Sequence, residues 1–165
     1  MMMSEIDEFI QNTNKIILDT ELFLLFLAGL NNINTIEKIK ATKKFTKKDF
    51  ETLKKIVKEF NDIKTTPHIL TEISNLNKHK YYRKKLFECM EYLINENLLD
   101  EKFIDIQKLI KDKKFKHLGV ADMGIKELSK KQNYGVITAD FGLYNELKAN
   151  NINCINFNRY MEINN

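Results

Sequence analysis

Four carboxylates in this chain sit among apolar neighbours rather than in its solvated, lysine-rich stretches. Asp19 interrupts "KIILDTELFL" (residues 15–24), and Glu72 lies in "HILTEISNL" (68–76). Asp122 lies in "HLGVADMGI" (117–125) and Asp140 in "GVITADFGLY" (135–144). Burying an unpaired carboxylate is costly, and several brought together repel and raise one another's pKa. A divalent cation resolves that conflict, and oxygen-only ligands suit Mg²⁺ or Mn²⁺. Each acid also has an ordinary role open to it. Asp19 and Asp140 are good helix N-caps, Asp122 can favour a helix N-terminus through the dipole, and Glu72 can pair with a lysine at a helix edge. Taken alone, each reads better this way; their occurrence in one order within one α/β frame shifts the balance to a shared site.

The elements that must position these acids alternate strand and helix. Lys15–Leu18 is apolar on both faces and reads as an interior strand of a parallel sheet. Val136–Ala139 reads as a second, and Ile152–Phe157 as a last strand. A buried helix is expected over Thr20–Leu30, ending near Gly29, and another over Leu143–Ala149. Ile63–Thr65 reads as a short strand leading to Thr66, a cap, with Pro67 at the first helical position. The buried stripe of that helix is expected at Ile69, Leu70, Ile73 and Leu76. Thr46 with Asp49 three residues on is a variant capping box, ahead of an amphipathic helix through Phe50, Leu53, Ile56, Val57 and Phe60. Further helices are expected over Tyr81–Asn95, Phe103–Lys111 and Leu118–Lys131, with a short amphipathic lead-in over 1–14. Residues 31–44 are polar, with a weak helical period through Ile33, Ile36 and Ile39. Repeated βα units imply a parallel sheet. Ligands of such sheets collect beyond the carboxyl ends of the strands, where Asp19 and Asp140 fall.

The bulk numbers fit that frame. The 165 residues favour a single domain over 1–165, and 43% apolar content supports an ordinary core. One proline and five glycines argue against long linkers and turn-dense all-β folds. The net charge of +4 permits an anionic partner without requiring one. Nearly all of the positive charge is lysine, with arginine only at Arg83 and Arg159, and lysine makes diffuse phosphate contacts rather than bidentate base readout. Cys89 and Cys154 have no metal-ligand spacing and suit a reducing compartment. The start "MMMSEIDEFI" lacks the basic opening of a signal peptide, and the longest apolar run, Leu22–Ala28, is far short of a membrane span. No membrane association and a cytoplasmic location are therefore expected.

Ile-Leu-Asp-Thr at 17–20, "LTEISNL" at 70–76, "HLGVADMGIKELSKK" at 117–131 and "VITADFGLY" at 136–144 together resemble the PIN-domain ribonucleases, over roughly residues 15–158. The resemblance implies a three-layer α/β/α domain with a central parallel sheet, here with a helical insertion near residues 31–61. It implies a Mg²⁺- or Mn²⁺-dependent endoribonuclease that hydrolyses RNA to 5′-phosphate and 3′-hydroxyl ends. By motif, Asp19, Glu72, Asp122 and Asp140 are the catalytic acids, with Asp19, Asp122 and Asp140 as inner or water-mediated metal ligands. Glu72 is a ligand or orients the attacking water. Thr138 is the threonine of the Thr-x-Asp motif and Thr20 the small hydroxyl after the first Asp; both support the site. Glu21 departs from the family, standing where many members carry Asn or Ser. Many members are toxins held by a cognate antitoxin, others process RNA alone, and homodimers are common.

RNA would need a positive approach surface. Lys43, Lys44, Lys47 and Lys48 form one lysine cluster, and Lys111, Lys113, Lys114 and Lys116 another. Lys78, Lys80, Arg83, Lys84 and Lys85 form a third, with Tyr81 and Tyr82 placed for base stacking. Each is more often just a solvated face. His68 and Glu72 have a spacing that can share zinc, but His79 and His117 add no matching ligand. Three rivals stand beside the ribonuclease. One is a PIN-like module that binds RNA or protein without cleaving. A second is a haloacid-dehalogenase-type phosphatase, which wants a second Asp where this chain has Glu21. The third is a nucleotide-binding protein, for which no glycine-rich phosphate loop is present.

Overall fold

Ile16, Ile17 and Leu18 are fully enclosed, as a strand apolar on both faces requires. In the computed structural model, which describes residues 3–163, they belong to a parallel sheet built from alternating elements. In chain order these are α1 (Glu5–Gln11), β1 (Lys15–Leu18), α2 (Thr20–Asn31), a 3-10 turn (Ile33–Thr35), α3 (Lys47–Val57), β2 (Ile63–Thr65), α4 (Pro67–Leu76), α5 (Lys80–Asn95), β3 (Leu99–Glu101), α6 (Ile106–Leu109), α7 (Phe115–Ser129), β4 (Tyr134–Thr138), α8 (Phe141–Ala149), β5 (Cys154–Asn156) and α9 (Asn158–Ile163). Met1, Met2, Asn164 and Asn165, included in the expected lead-in and in the expected 1–165 span, lie outside the described residues.

The strand order is β3-β2-β1-β4-β5, with every neighbouring pair parallel. From β1 the chain steps outward to β2 and β3, then returns across the sheet to β4 and steps the other way to β5. Right-handed crossovers in opposite directions place their helices on opposite faces, giving a three-layer α/β/α architecture. The direction of winding reverses between β1 and β4, the point where open α/β sheets hold ligands.

Helix α2 packs against α3, α4 and α5. Its run Leu22–Ala28 is buried all round, which explains why the sequence there shows no polar stripe. Thr46 and Asp49 form the expected capping box of α3. The expected insertion over 31–61 is the 3-10 turn, a run of turns and α3, pinned by buried Ile36, Ile39 and Phe45. Two buried lysines tie elements together. Lys64 reaches Asp62 at 2.6 Å and Asp100 at 2.6 Å, joining β2 to β3. Lys126 reaches Asp112 at 2.6 Å and Glu146 at 2.7 Å, fixing α7 against α8.

Several expectations need correction. The helix expected over Phe103–Lys111 is only α6, because Asp105 caps it late, and Phe103 is 79% exposed. Strand β3 precedes it and was not expected. It is a short edge strand carrying Asp100 and Glu101, a composition that protects an edge but hides the strand signal. Leu76 leaves the buried stripe of α4 and is 44% exposed, since it sits in the last turn beside the acid cavity described below. The helix expected from Leu118 starts at Phe115 but is broken at Gly119, whose φ of 81° and ψ of −179° suit glycine. Among the described residues, no helix is long and apolar enough to cross a membrane.

Candidate functional site

The register of β1 on β4 pairs Leu18 with Ile137, so the residues that follow, Asp19 and Thr138, emerge side by side. The Asp19 N–H continues the ladder to the Ile137 carbonyl at 3.1 Å. One carboxylate oxygen of Asp19, Oδ1, accepts the Leu22 N–H at 2.8 Å and caps α2. The other, Oδ2, accepts the Thr138 hydroxyl at 2.6 Å and the Ala139 N–H at 2.7 Å. Thr138 Oγ1 accepts the Asp140 N–H at 3.0 Å in turn. One hydroxyl thus links both aspartates of the two strand ends. Asp140 caps α8 through Oδ1, which accepts the Leu143 N–H at 2.7 Å, while the residue as a whole stays exposed. Capping and convergence therefore hold together for Asp19 and Asp140.

Glu72 is placed by the Thr66 cap and Pro67, which start α4 directly after β2. The Thr20 hydroxyl donates to Glu72 Oε2 in a short hydrogen bond. The residue after Asp19 thereby fixes an acid 52 positions away in sequence. Asp122 lies three residues beyond the break at Gly119, where the helix restarts, and α7 packs against α4. Asp19, Glu72, Asp122 and Asp140 all line one cavity of about 240 Å³, together with Thr20, Glu21 and Leu76.

Electrostatics follow from this gathering. Burial pushes the Asp19 carboxyl up to about 6, against the lowering effect of its hydrogen bonds from Thr138, Leu22 and Ala139. Asp122 is pushed up to about 7, first by burial and then by the charges of Asp140, Asp19, Glu72 and Glu21. The cavity's donor set is carboxylate and hydroxyl oxygen, with no sulfur or imidazole, which matches a hard divalent cation. Among the described residues, no three Asp, Glu, His or Cys side chains are gathered as a ready-made cation cage.

Glu21 is partnered by Lys44 at 2.5 Å. Lys44 comes from the run of turns that precedes α3. Both side chains are well exposed, so the pair contributes at most about 1 kcal/mol.

The expected RNA-contact residues are scattered. Lys43, Lys44, Lys47, Lys48, Arg83 and Lys84 do not line the acid cavity. Lys44 is engaged by Glu21 and Lys47 donates to Asn34 Oδ1 at 2.7 Å. Lys84 and Lys85 face Glu88 at 3.9 and 2.9 Å, and Lys114 lies 4.0 Å from Glu146. Lys78 and Tyr82 do approach the site: they line a groove of about 530 Å³ that shares Glu21 and Leu76 with the acid cavity. Lys38, Lys40 and Asn77 line it too. They lie in stretches with no marked periodicity, and nothing in the sequence singles them out. His68 lines a second groove of about 290 Å³ with Glu72 and Val120, and its Nε2 lies 3.4 Å from the Ile104 carbonyl. Compared with protein-family models, curated proteins and solved structures, the chain matches none.

Proposed function

We propose that this protein is a Mg²⁺- or Mn²⁺-dependent endoribonuclease of the PIN-domain type. One observation carries the reading: acids from four separate segments line a single cavity beyond the carboxyl ends of β1 and β4, at the reversal point of the sheet. Asp19, Asp122 and Asp140 would hold the cation. When bound, such an ion supplies Lewis-acid activation of water and neutralises charge on a phosphodiester.

The chain's own residues do the rest. Three donors hold the Asp19 carboxylate in one orientation. Thr138 keeps Asp19 and Asp140 in fixed relation through its shared hydroxyl. Thr20 holds Glu72 through its hydroxyl, and a carboxylate so placed is suited to orient water and accept its proton. Without a cation the Asp122 carboxyl is pushed up to about 7 by burial and by its acidic neighbours, and a bound cation would hold it ionised. As a member of this class, the protein would serve as a toxin held by an antitoxin or as a stand-alone RNA-processing enzyme, and a homodimer is the assembly the resemblance implies.

The test is RNA cleavage with Mn²⁺. Asp19→Asn and Asp122→Asn are each expected to lower the rate by at least about 100-fold, the scale of losing a positioned acid or base, with circular dichroism unchanged. Wild-type rates in either variant would remove the mechanism. A second reading, a PIN-like module that binds RNA or protein without cutting, draws on the engagement of Glu72 by Thr20 and of Glu21 by Lys44. Under that reading Mn²⁺ neither binds in titration calorimetry nor elicits cleavage.

A further inference from the structure

The connection from β3 through α6 to α7 carries apolar side chains that the core does not account for. Ile104 and Leu109 turn inward and are buried, which anchors the segment. Phe103, Ile106 and Ile110 turn outward and are 79%, 41% and 57% exposed. Large apolar side chains grouped on a surface mark a contact site.

The charge of the same segment is one-sided. Its two acids are engaged by the fold: Asp105 Oδ1 accepts the Gln107 N–H at 2.9 Å, and Asp112 Oδ2 accepts from the buried Lys126 at 2.6 Å. Lys114 lies 4.0 Å from Glu146. Lys108, Lys111, Lys113 and Lys116 are exposed and make no ion pair among the described residues. Lysines without partners around projecting apolar groups call for an occupant that is anionic outside and apolar within. A second copy of this chain does not fit, since a two-fold contact would set these lysines against themselves. An acidic protein segment would answer the charge, but such segments dock in grooves, and Phe103, Ile106 and Ile110 line none of the cavities described above. An anionic bilayer needs no groove. Its headgroups meet the ammonium groups, the lysine stems lie along the interface, and the apolar side chains enter the acyl boundary.

We propose that the surface over residues 103–116 docks this protein on anionic lipid bilayers, with Phe103, Ile106 and Ile110 entering the headgroup layer and Lys108, Lys111, Lys113 and Lys116 meeting lipid phosphates. Such a contact is peripheral and needs no membrane-spanning helix. It is independent of the ribonuclease reading, because none of the cavity's acids takes part.

The test is co-sedimentation of the full chain with vesicles in EDTA, which keeps cation bridging out of the readout. One set of vesicles is phosphatidylcholine alone; the other is phosphatidylcholine mixed with phosphatidylglycerol. The mixed vesicles are expected to bind at least about tenfold more tightly, and added salt to weaken that binding by screening exposed charge. Lys111→Gln with Lys113→Gln is expected to weaken it about 10–30-fold, from about fivefold per lysine near an anionic surface. Phe103→Ser is expected to weaken it about tenfold, the scale of one apolar side chain withdrawn from water. The substituted side chains are exposed, so folding is not at stake. Equal binding to the two vesicle sets overturns the proposal. So does unchanged affinity in Phe103→Ser, which reduces the contact to charge alone, or in the double lysine variant. A single-stranded RNA or a poly-glutamate peptide bound through these residues, with the mixed vesicles left unbound, overturns it in favour of nucleic acid or acidic protein.

Discussion

Asp19 is held by three donors, yet ionising it works against the fold. Its carboxyl is raised from 3.8 to about 6, so the folded state favours the protonated form. The associated stability is fully present below the unfolded pKa and is lost as pH rises through about 6, a swing of about 3 kcal/mol. Asp122, raised to about 7, has the same sign and extends the window upward. The carboxyls of Asp100, Asp112 and Glu146 are lowered by their lysine partners, so they act at more acid pH and leave this window clear. In chelator, the melting temperature is therefore expected to fall between pH 5 and pH 8, and Mn²⁺ to raise it more at pH 8 than at pH 5. Asp19→Asn should flatten the slope and raise melting at pH 8 by about 2–4 °C, after a lost acceptor offsets part of the relief. A pH-independent melting temperature in chelator would contradict the raised carboxyls. The places of Asp19 and Asp140 were legible because each follows a strand end, whereas the part of Thr138 came only from the resemblance. The Thr20–Glu72 hydrogen bond was not legible, since nothing local relates residues so far apart in sequence.

At the scale of elements, α2 and α3 meet with no room to spare. A Cβ on Gly29 would lie 2.2 Å from the Phe50 ring. Gly→Ala inside a helix ordinarily stabilises by about 1 kcal/mol, but here the contact reverses the sign. Gly29→Ala is expected to lower stability by about 1–3 kcal/mol, the usual cost of overpacking, as read from urea denaturation; a gain would show that Phe50 moves aside freely. Strands apolar on both faces and helices with a cap or a single apolar stripe were readable, and β1, β2, α3 and α4 begin where their sequence signals lie. The strand β3 was not, because pairing with β2 and not side-chain burial defines it. Neither was the break in α7, since an isolated glycine in a helical pattern does not reveal its φ.

Over the whole molecule, the net charge of +4 says little, because the charges are sorted. Carboxylates fill the cavity at the sheet's reversal point, and lysines flank the groove beside it. If Lys38, Lys40 and Lys78 meet phosphates, the logarithm of RNA affinity should fall with the logarithm of salt at a slope near −2, at about −0.7 per contact on a single strand. Removing Lys38 and Lys40 should leave a slope of about −0.7. A slope unchanged by the double substitution would place the contacts elsewhere on the surface.

The hydroxyl that links the two strand ends lies 119 positions after Asp19. A ribosome adding about 5–20 residues per second needs roughly 6–24 seconds to cover that distance. Throughout that interval Asp19 has been made but lacks the partner that orients it. Until β4 is translated and joins the sheet, Asp19 lacks the Thr138 hydroxyl and the Ala139 N–H that hold its Oδ2, so this corner of the cavity is assembled late in synthesis.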